Sequence, residues 1–255
     1  MKRGQNMITS KDNSQYKFWG KLQQKKYRQK EQLFLVEGLH LAVEAKKNNV
    51  LVEVLVREGT ITEFEETTLL KQDLFDKLAG TVNSAGVMAV CRMHEAEIMA
   101  MDRLLLVDGV QDPGNLGTLI RSALAFGFDG IVLSENTVDV YNEKVVRATQ
   151  GALFALPIIR RDLVAYVKEL QKANVQVYAA ILNTAAKPLN AVSTVDQMAF
   201  IVGNEGAGIR ADLVATCNNS VEIEMNATTE SLNVGVAGSI IMYQFRHTKC
   251  MKNKK

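Results

Sequence analysis

The second half of the chain alternates between apolar runs and apolar positions at helical spacing. The runs are typical of buried strands: LLLVDGV, GIVLSE, VQVYAAIL, MAFIVG and SVEIEM. An amphipathic helix is predicted after the first run by Leu116, Leu119, Ile120, Ala123 and Leu124. Gly127 suits its C-terminal cap. Further helices are predicted near Asn142–Thr149, over DLVAYVKELQKA and from about Ser231 to Phe245. Strands that alternate with helices indicate an α/β domain with a mostly parallel sheet.

The first half forms a smaller α/β pattern. QLFLVEGLHLAVEAKKNNV predicts a strand followed by an amphipathic helix, and LVEVLVREG and GVMAVCRM predict strands. ETTLLKQDLFDKLAG predicts a helix that ends at Gly80. The polar segment RMHEAEIMAMD lacks a strand pattern and suits a linker. We therefore expect one domain over residues 1–95, a linker over 96–102 and a second domain over 103–255.

Composition is that of an ordinary globular protein, with 255 residues of which 47% are hydrophobic and 23% charged. No apolar run approaches the ~20 residues that a membrane helix needs, so we expect no membrane association. The N-terminus has no apolar signal core. Cys91, Cys217 and Cys250 are scattered, which predicts a cytoplasmic protein without disulfides or a metal site.

The net charge of +2 conceals a basic N-terminal segment. Residues 1–30 hold nine Lys or Arg against a single acid, Asp12. Four aromatic residues are interleaved with the cations: Tyr16, Phe18, Trp19 and Tyr27. The segment predicts either a nucleic-acid surface, on which aromatics stack on bases, or a solvated basic helix whose aromatics dock on the domain behind it.

Three strand ends of the second half are rich in turn residues. They are DGVQDPGNLG, GNEGAG and NATTESLNVG, and TQGA at 149–152 is a fourth, lesser one. Ligands of open α/β folds bind beyond the carboxyl ends of strands, and glycine lets a ligand approach the backbone. We therefore predict a binding site at this edge of the sheet.

Missing motifs narrow the chemistry of that site. No histidine lies between His94 and His247, which disfavours Ser-His-Asp or Cys-His hydrolysis. The sequence has no H-E-x-x-H, no paired Cys or His for zinc, no phosphate-binding loop with its lysine, and no G-x-G-x-x-G. An adenosine cofactor without a polyphosphate fits these limits, and S-adenosylmethionine is one.

The same segments resemble a known family. VDGVQDPGNLGTLIRSALAFGFDGIVLS, IVGNEGAGI and VEIEMNATTESLNVGVAGSIIMYQ are similar to the three motifs of the SpoU (TrmH-like) RNA 2′-O-ribose methyltransferases of the SPOUT superfamily. FLVEGLHLAVEA and GVMAVC resemble the family's N-terminal substrate-binding domain, which is L30e-like. The resemblance implies bound S-adenosylmethionine, a homodimer with the last helix in its interface, and a trefoil-knotted methyltransferase domain. The pattern alone would predict an unknotted sheet.

The resemblance also implies site residues. Gly203, Ile223 and Leu232 would line the adenosine, largely through backbone groups. Asn204, Gln150 and Gly151 would lie near the cofactor. The catalytic candidates are Asn115, Arg121, Glu205, Ser231 and Asn233. Two positions depart from the family: Glu224 stands where proline is usual, and Gly235 replaces a frequent serine.

Arg121 is expected to face away from the core. Counted from Asn115, the apolar stripe centres at ~110° and Arg121 lies at ~240° around the helix. The family proposal makes this arginine the general base. Because arginine stays protonated in proteins, we favour a cation that holds the ribose or phosphate and stabilises the developing alkoxide. Glu205 is the alternative base, and Ser231 and Asn233 either bind the substrate or methionine carboxylate or cap the last helix.

The leading hypothesis is a ribose 2′-O-methyltransferase that acts on 23S rRNA, because the separate N-terminal domain resembles the rRNA members of the family. A tRNA substrate, methylation of a base and a non-catalytic RNA-binding relative are the alternatives. The intact candidate set disfavours the last of these.

Overall fold

The computed structural model describes residues 7–79, 84–93, 97–183, 186–226 and 228–246, which form two compact units. The first unit takes the chain up to residue 95 together with residues 139–154. The second takes residues 96–138 and the chain from 155 onward. Gly80, Lys2 and Arg3 lie outside the described residues.

The first unit is built on a five-stranded mixed sheet. Its elements are β1 (Met7–Ile8), α1 (Ser14–Lys21), α2 (Lys25–Glu31), β2 (Leu33–Glu37), α3 (Leu39–Lys47), β3 (Leu51–Arg57), β4 (Thr68–Leu70), α4 (Gln72–Leu78), β5 (Val87–Arg92) and α6 (Glu143–Thr149). A 3₁₀ turn, Ala152–Phe154, follows α6. The strand order is β1-β4-β3-β5-β2, with β5 antiparallel to both of its neighbours.

Aromatic residues of the basic segment pack inward. Trp19 is only 2% exposed, and Tyr16 and Phe18 pack against the same core. The Tyr16 hydroxyl donates to the carbonyl of Leu74 over 3.2 Å. These three aromatics therefore dock on the core of their own unit, as one of the two interpretations predicted. The other interpretation, stacking on nucleic-acid bases, is wrong for the buried Trp19. Tyr27 stays partly exposed.

One cation of the basic segment is also buried. The Arg28 guanidinium pairs with Asp139 over 2.5 Å and donates to the carbonyls of Leu22 and Gln23. Arg28 therefore neutralises a carboxylate of the same unit, unlike the exposed lysines of α1 and α2.

The second unit contains a seven-stranded sheet in which every pairing is parallel. Its elements are β6 (Arg103–Val107), α5 (Pro113–Ala125), β7 (Gly130–Leu133), β8 (Ile158–Arg160), α7 (Leu163–Lys172), β9 (Gln176–Ala180), β10 (Lys187–Pro188), β11 (Met198–Val202), α8 (Ala211–Thr216), β12 (Asn219–Glu222) and α9 (Val234–Gln244). A 3₁₀ turn, Leu189–Ala191, follows β10. The order is β10-β12-β9-β11-β6-β7-β8. The expected α/β domain with a parallel sheet is confirmed.

Two predicted elements need correction. Thr68–Leu70 was expected in a helix but forms β4, because it pairs with β3 on one side and β1 on the other. The last helix begins at Val234 rather than near Ser231, with Asn233 as its N-cap. Gly127 has φ +72°, as expected of a residue that follows a helix end.

The register of the sheet determines which loops meet. β6 and β11 are neighbours, and Val107 pairs with Val202 at their carboxyl ends. The loops that follow these two strands therefore start side by side. None of the described helices is both long and apolar enough to cross a membrane.

Candidate active site

A cavity of about 590 Å³ opens at the carboxyl edge of the parallel sheet. Its walls come from the end of β9, the loop 202–209, and residues within 221–225 and 231–237. Seven predicted site residues line it: Gly203, Asn204, Glu205, Ile223, Ser231, Leu232 and Asn233. The structure thus joins the second and third glycine-bearing strand ends in one cavity.

Gly203 is required by the loop itself. A Cβ at this position would lie 2.3 Å from the carbonyl carbon of Gly208 and from the backbone nitrogen of Ile209. Asn204 and Gly208 exchange two backbone hydrogen bonds of 2.9 and 3.0 Å, so the loop 203–209 is a tight hairpin. Any larger residue at 203 would force the two legs of the hairpin apart.

Asn204 stabilises the hairpin and links it to the first turn, residues 108–117, which begins directly after β6. Its Oδ1 accepts hydrogen bonds of 2.9 Å from the backbone nitrogens of Gly206 and Ala207. Its Nδ2 donates to the carbonyl of Gly109 over 2.8 Å. The side chain therefore acts mainly on the backbone of the cavity wall.

The Glu205 carboxylate receives several donors from the first turn. Oε1 accepts from Asp112 N and Asn115 Nδ2, both over 3.0 Å, and Oε2 accepts from Gln111 N over 3.2 Å. Asn204 Nδ2 adds a longer contact of 3.3 Å. Burial on its own raises the pKa of Glu205, but the hydrogen bonds from Asn115 and from backbone N–H groups outweigh it, and the net pKa is lowered. A carboxylate in this state is a weak proton acceptor.

Asn115 and Asn233 link the first motif to the third. Asn233 Nδ2 donates to Asn115 Oδ1 over 2.8 Å. Asn233 Oδ1 accepts from the backbone nitrogens of Gly235 and Val236 and so caps α9. Asn233 thus both caps α9 and lines the cavity. Ser231 lines the cavity and is not the N-cap of α9.

Arg121 lies on α5 with its side chain exposed, as expected from the helical pattern. The neighbouring Ser122 instead faces α9, where its hydroxyl lies 2.7 Å from that of Ser239. Within the described ranges, no hydrogen bond or ion pair engages the Arg121 guanidinium. The cation is therefore available to a bound polyanion.

Comparisons with known families match both halves of the chain. Residues 102–243 match the model of the SpoU rRNA Methylase family, which is more than half of the chain. The protein belongs to the SpoU rRNA methylase family. Residues 13–89 match the MRM3-like substrate binding domain. The family and the enzyme class expected from the motifs, an RNA methyltransferase, are confirmed.

Three similar proteins each cover most of this chain. The 23S rRNA (guanosine(2553)-2'-O)-methyltransferase RlmP of Bacillus subtilis is 40% identical, over 94% of this chain and 98% of that protein. The 23S rRNA (guanosine-2'-O-)-methyltransferase RlmB of Xanthomonas campestris is 30% identical, over 82% and 93%. The AdoMet-bound rRNA methyltransferase of Sinorhizobium meliloti superposes with a TM-score of 0.83 at 26% identity, over 94% and 96%.

Two residues that were predicted to lie near the cofactor, Gln150 and Gly151, do not line the cavity. Gln150 and Gly151 follow α6 in the first unit, where the Gln150 carbonyl lies 3.3 Å from Nε2 of His40. A Cβ on Gly151 would lie 2.9 Å from Cγ of Glu44. Neither residue lines the cavity of about 590 Å³, and their cofactor role stays a prediction.

The departures from the family motif also have structural settings. Glu224, at the usual proline position, accepts a 2.8 Å hydrogen bond from Asn190 Nδ2, so the strand end is tied to the turn Leu189–Ala191. Gly235 lies where a Cβ would be 3.3 Å from the side chain of Thr118. Sequence reasoning overlooked Asn190, because nothing near it in the chain indicates its distant partner.

Proposed function

We propose that this SpoU methylase transfers a methyl group from S-adenosylmethionine to a ribose 2′-hydroxyl of a guanosine in 23S rRNA. The observation that carries the proposal is the chain of contacts Glu205–Asn115–Asn233, which joins all three motifs beside the cavity. Guanosine and 23S rRNA are proposed as the substrate because two relatives that cover most of the chain are 23S rRNA guanosine 2'-O-methyltransferases.

The cavity suits S-adenosylmethionine in size and lining. Its volume of about 590 Å³ is typical of sites that enclose a small molecule. Apolar side chains from Ile181, Leu182 and Leu232 can contact an adenine ring, while glycines without a side chain let a ligand approach the hairpin backbone closely. When bound, S-adenosylmethionine supplies an electrophilic methyl group on its sulfonium.

Arg121 acts as a cation on the RNA side of the site. Its guanidinium is exposed, carries a permanent charge and presents a planar fork that matches phosphate oxygens. It holds the ribose or the adjacent phosphate and stabilises the alkoxide that develops as the hydroxyl gives its proton to solvent water. Glu205, with its lowered pKa and occupied oxygens, positions Asn115 and the first turn rather than removing the proton.

RNA recognition falls to the N-terminal part of the chain under this proposal. We assign residues 1–95 to substrate binding, 96–102 to the connection and 103–255 to methyl transfer. The match to a substrate-binding domain and the exposed lysines of α1 and α2 support the first assignment. An rRNA substrate also accords with a cytoplasmic location.

We propose a homodimer that covers an apolar face of the second unit. Val236, Ile240 and Tyr243 recur on α9 and are 47%, 39% and 55% exposed, and Leu124 of α5 is 41% exposed. Apolar side chains that recur on one helix face and stay exposed are typical of an association surface. The same surface on a second copy is self-complementary, as a two-fold interface requires.

Calorimetry and nucleoside analysis test the function. The protein is expected to bind S-adenosylmethionine, and to convert guanosine to 2′-O-methylguanosine in 23S rRNA transcribed without modifications. Methylation of a base would replace the ribose assignment. Cofactor binding without transfer to any RNA would indicate a non-catalytic relative, and preference for tRNA would change the substrate.

A further inference from the structure

An ion pair between a buried carboxylate and a partly exposed guanidinium lies at the base of the cavity hairpin. Asp108, the residue directly after β6, is 2% exposed, and its carboxylate contacts Arg210, which precedes α8. Arg210 Nε donates to Asp108 Oδ1 over 3.1 Å, and the backbone nitrogen of Arg210 donates to Oδ2 over 3.0 Å. One carboxylate thus binds both the side chain and the main chain of Arg210.

The pair completes the attachment of the hairpin to the first turn. At the start of the hairpin, Asn204 Nδ2 donates to the carbonyl of Gly109 over 2.8 Å. At its end, Arg210 binds Asp108. Two consecutive residues of the first turn therefore hold both legs of the hairpin, and residues 205–209 between these attachments all line the cavity.

We propose that the Asp108–Arg210 pair positions the backbone of Gly208 and Ile209 for S-adenosylmethionine. The inference rests on the proposed function, since that function assigns the cofactor to the cavity. Neither Asp108 nor Arg210 lines the cavity, so both are positioning residues that act through the hairpin. A buried carboxylate that loses its cationic partner is strongly unfavourable, which makes the hairpin position depend on this contact.

The chain offers a matched control for Arg210. Its Nη1 also lies 3.9 Å from Asp212 Oδ2, a carboxylate whose side chain is 62% exposed. An exposed ion pair contributes little, because water screens it. Asp108 and Asp212 are therefore a buried and an exposed partner of the same arginine.

Titration calorimetry with S-adenosylmethionine on the full-length protein tests the proposal. Arg210→Met removes the donor while keeping an unbranched side chain, and loss of one charge-assisted hydrogen bond is expected to raise Kd about tenfold. Arg210→Gln should recover part of this affinity, because its amide nitrogen takes the place of Nε. Asp212→Asn should leave Kd unchanged. The number of binding sites per chain should be the same in all variants.

Several outcomes would overturn the proposal. A wild-type Kd in Arg210→Met would mean that the pair does not position the cofactor wall. An unchanged Kd with fewer competent sites would mean that the pair only supports folding. Absence of S-adenosylmethionine binding by the unmutated protein would instead contradict the proposed function.

Discussion

Donors from the first turn converge on the carboxylate of Glu205, and they limit what this residue can do in catalysis. Because hydrogen bonds lower the pKa of Glu205, the carboxylate is ionised at neutral pH and its charge does not change around that pH. Its contacts to Asn115 and to the backbone of Asp112 are those of a positioning residue. The Glu205 base hypothesis is thereby disfavoured.

Glu205→Gln tests this role. The amide cannot accept all of the donors that the carboxylate accepts, so we expect single-turnover methyl transfer to slow by about tenfold. The shape of the rate against pH should match that of wild type between about pH 5 and 9, because no titrating base has been removed. Disappearance of an ionisation from the profile of this variant would restore Glu205 as the base.

Arg121 is tested by two substitutions. Arg121→Ala should reduce the methyl-transfer rate by about 10²–10³-fold, as expected when one alkoxide-stabilising donor is lost. Arg121→Lys should retain more activity, because a charge remains although the planar fork is lost. Neither variant should change the Kd of S-adenosylmethionine, since the side chain does not line the cavity.

The control for Arg121 is Arg161→Ala, which removes another exposed arginine of the same unit. It should leave the rate unchanged. If Arg121 were the base, the lysine variant would gain a rate-controlling ionisation and its rate would rise with pH to a higher plateau. A wild-type rate in Arg121→Ala would remove this residue from catalysis.

The sequence identified most of these residues but not their contacts. The turn motifs predicted a site at one edge of the sheet, because strand ends of a parallel sheet meet there, and the family resemblance supplied the seven candidate residues that line the cavity. The link between Asn115 and Asn233 spans 118 positions and could not be predicted from local pattern. Gly203 was expected to admit a ligand, yet its immediate constraint is the backbone of its own hairpin.

Among the elements, α9 combines a buried face with an exposed apolar one. Its Ile241 and Met242 are fully buried, while Ile240 remains exposed in the second unit. Ile240→Asp places a charge at the centre of the exposed face, so we expect the dimer to dissociate in light scattering coupled to size exclusion. Ile61→Asp, at an isoleucine that is 95% exposed in the first unit, is the control and should stay dimeric. A monomeric wild-type protein would contradict the proposed interface.

Helices α1 and α2 present lysines to solvent while their aromatics support the core. Neutralising Lys25 and Lys26 to glutamine should weaken rRNA binding and make the slope of log K against log salt shallower by about 1.5. A variant with Lys168→Gln and Lys172→Gln on α7 loses the same charge from the other unit and should change the slope less. Equal changes in both variants would assign RNA binding to net charge rather than to this surface.

Strongly periodic elements were predicted well, and short ones were not. The local sequence is enough to predict α5 and β11. The helix α5 buries one apolar stripe, and every residue of the strand β11 is buried, so each leaves a clear pattern in the sequence. β4 has only three residues and exists through pairing with β1 and β3, which a local helical pattern cannot reveal. The edge strands β8 and β10 were overlooked for the same reason.

For the whole molecule, the α/β architecture and the family could be predicted from the sequence. The assignment of residues 139–154 to the first compact unit could not. Residues 139–154 are part of the family match at 102–243, yet they pack with the first unit through the buried pair of Arg28 and Asp139. That contact joins positions 111 apart, beyond the reach of periodicity. The trefoil knot stays a prediction of the family resemblance.

The central claim is that this protein methylates a guanosine ribose in 23S rRNA, with Arg121 as an essential cation. The most direct measurement is a map of 2′-O-methyl positions in total RNA from cells with the gene, without it, and with the Arg121→Ala variant. We predict that one guanosine of 23S rRNA loses its 2′-O-methyl group in the deletion and in the variant, and regains it with the wild-type gene. Identical maps in all strains, or a lost mark confined to tRNA, would contradict the account.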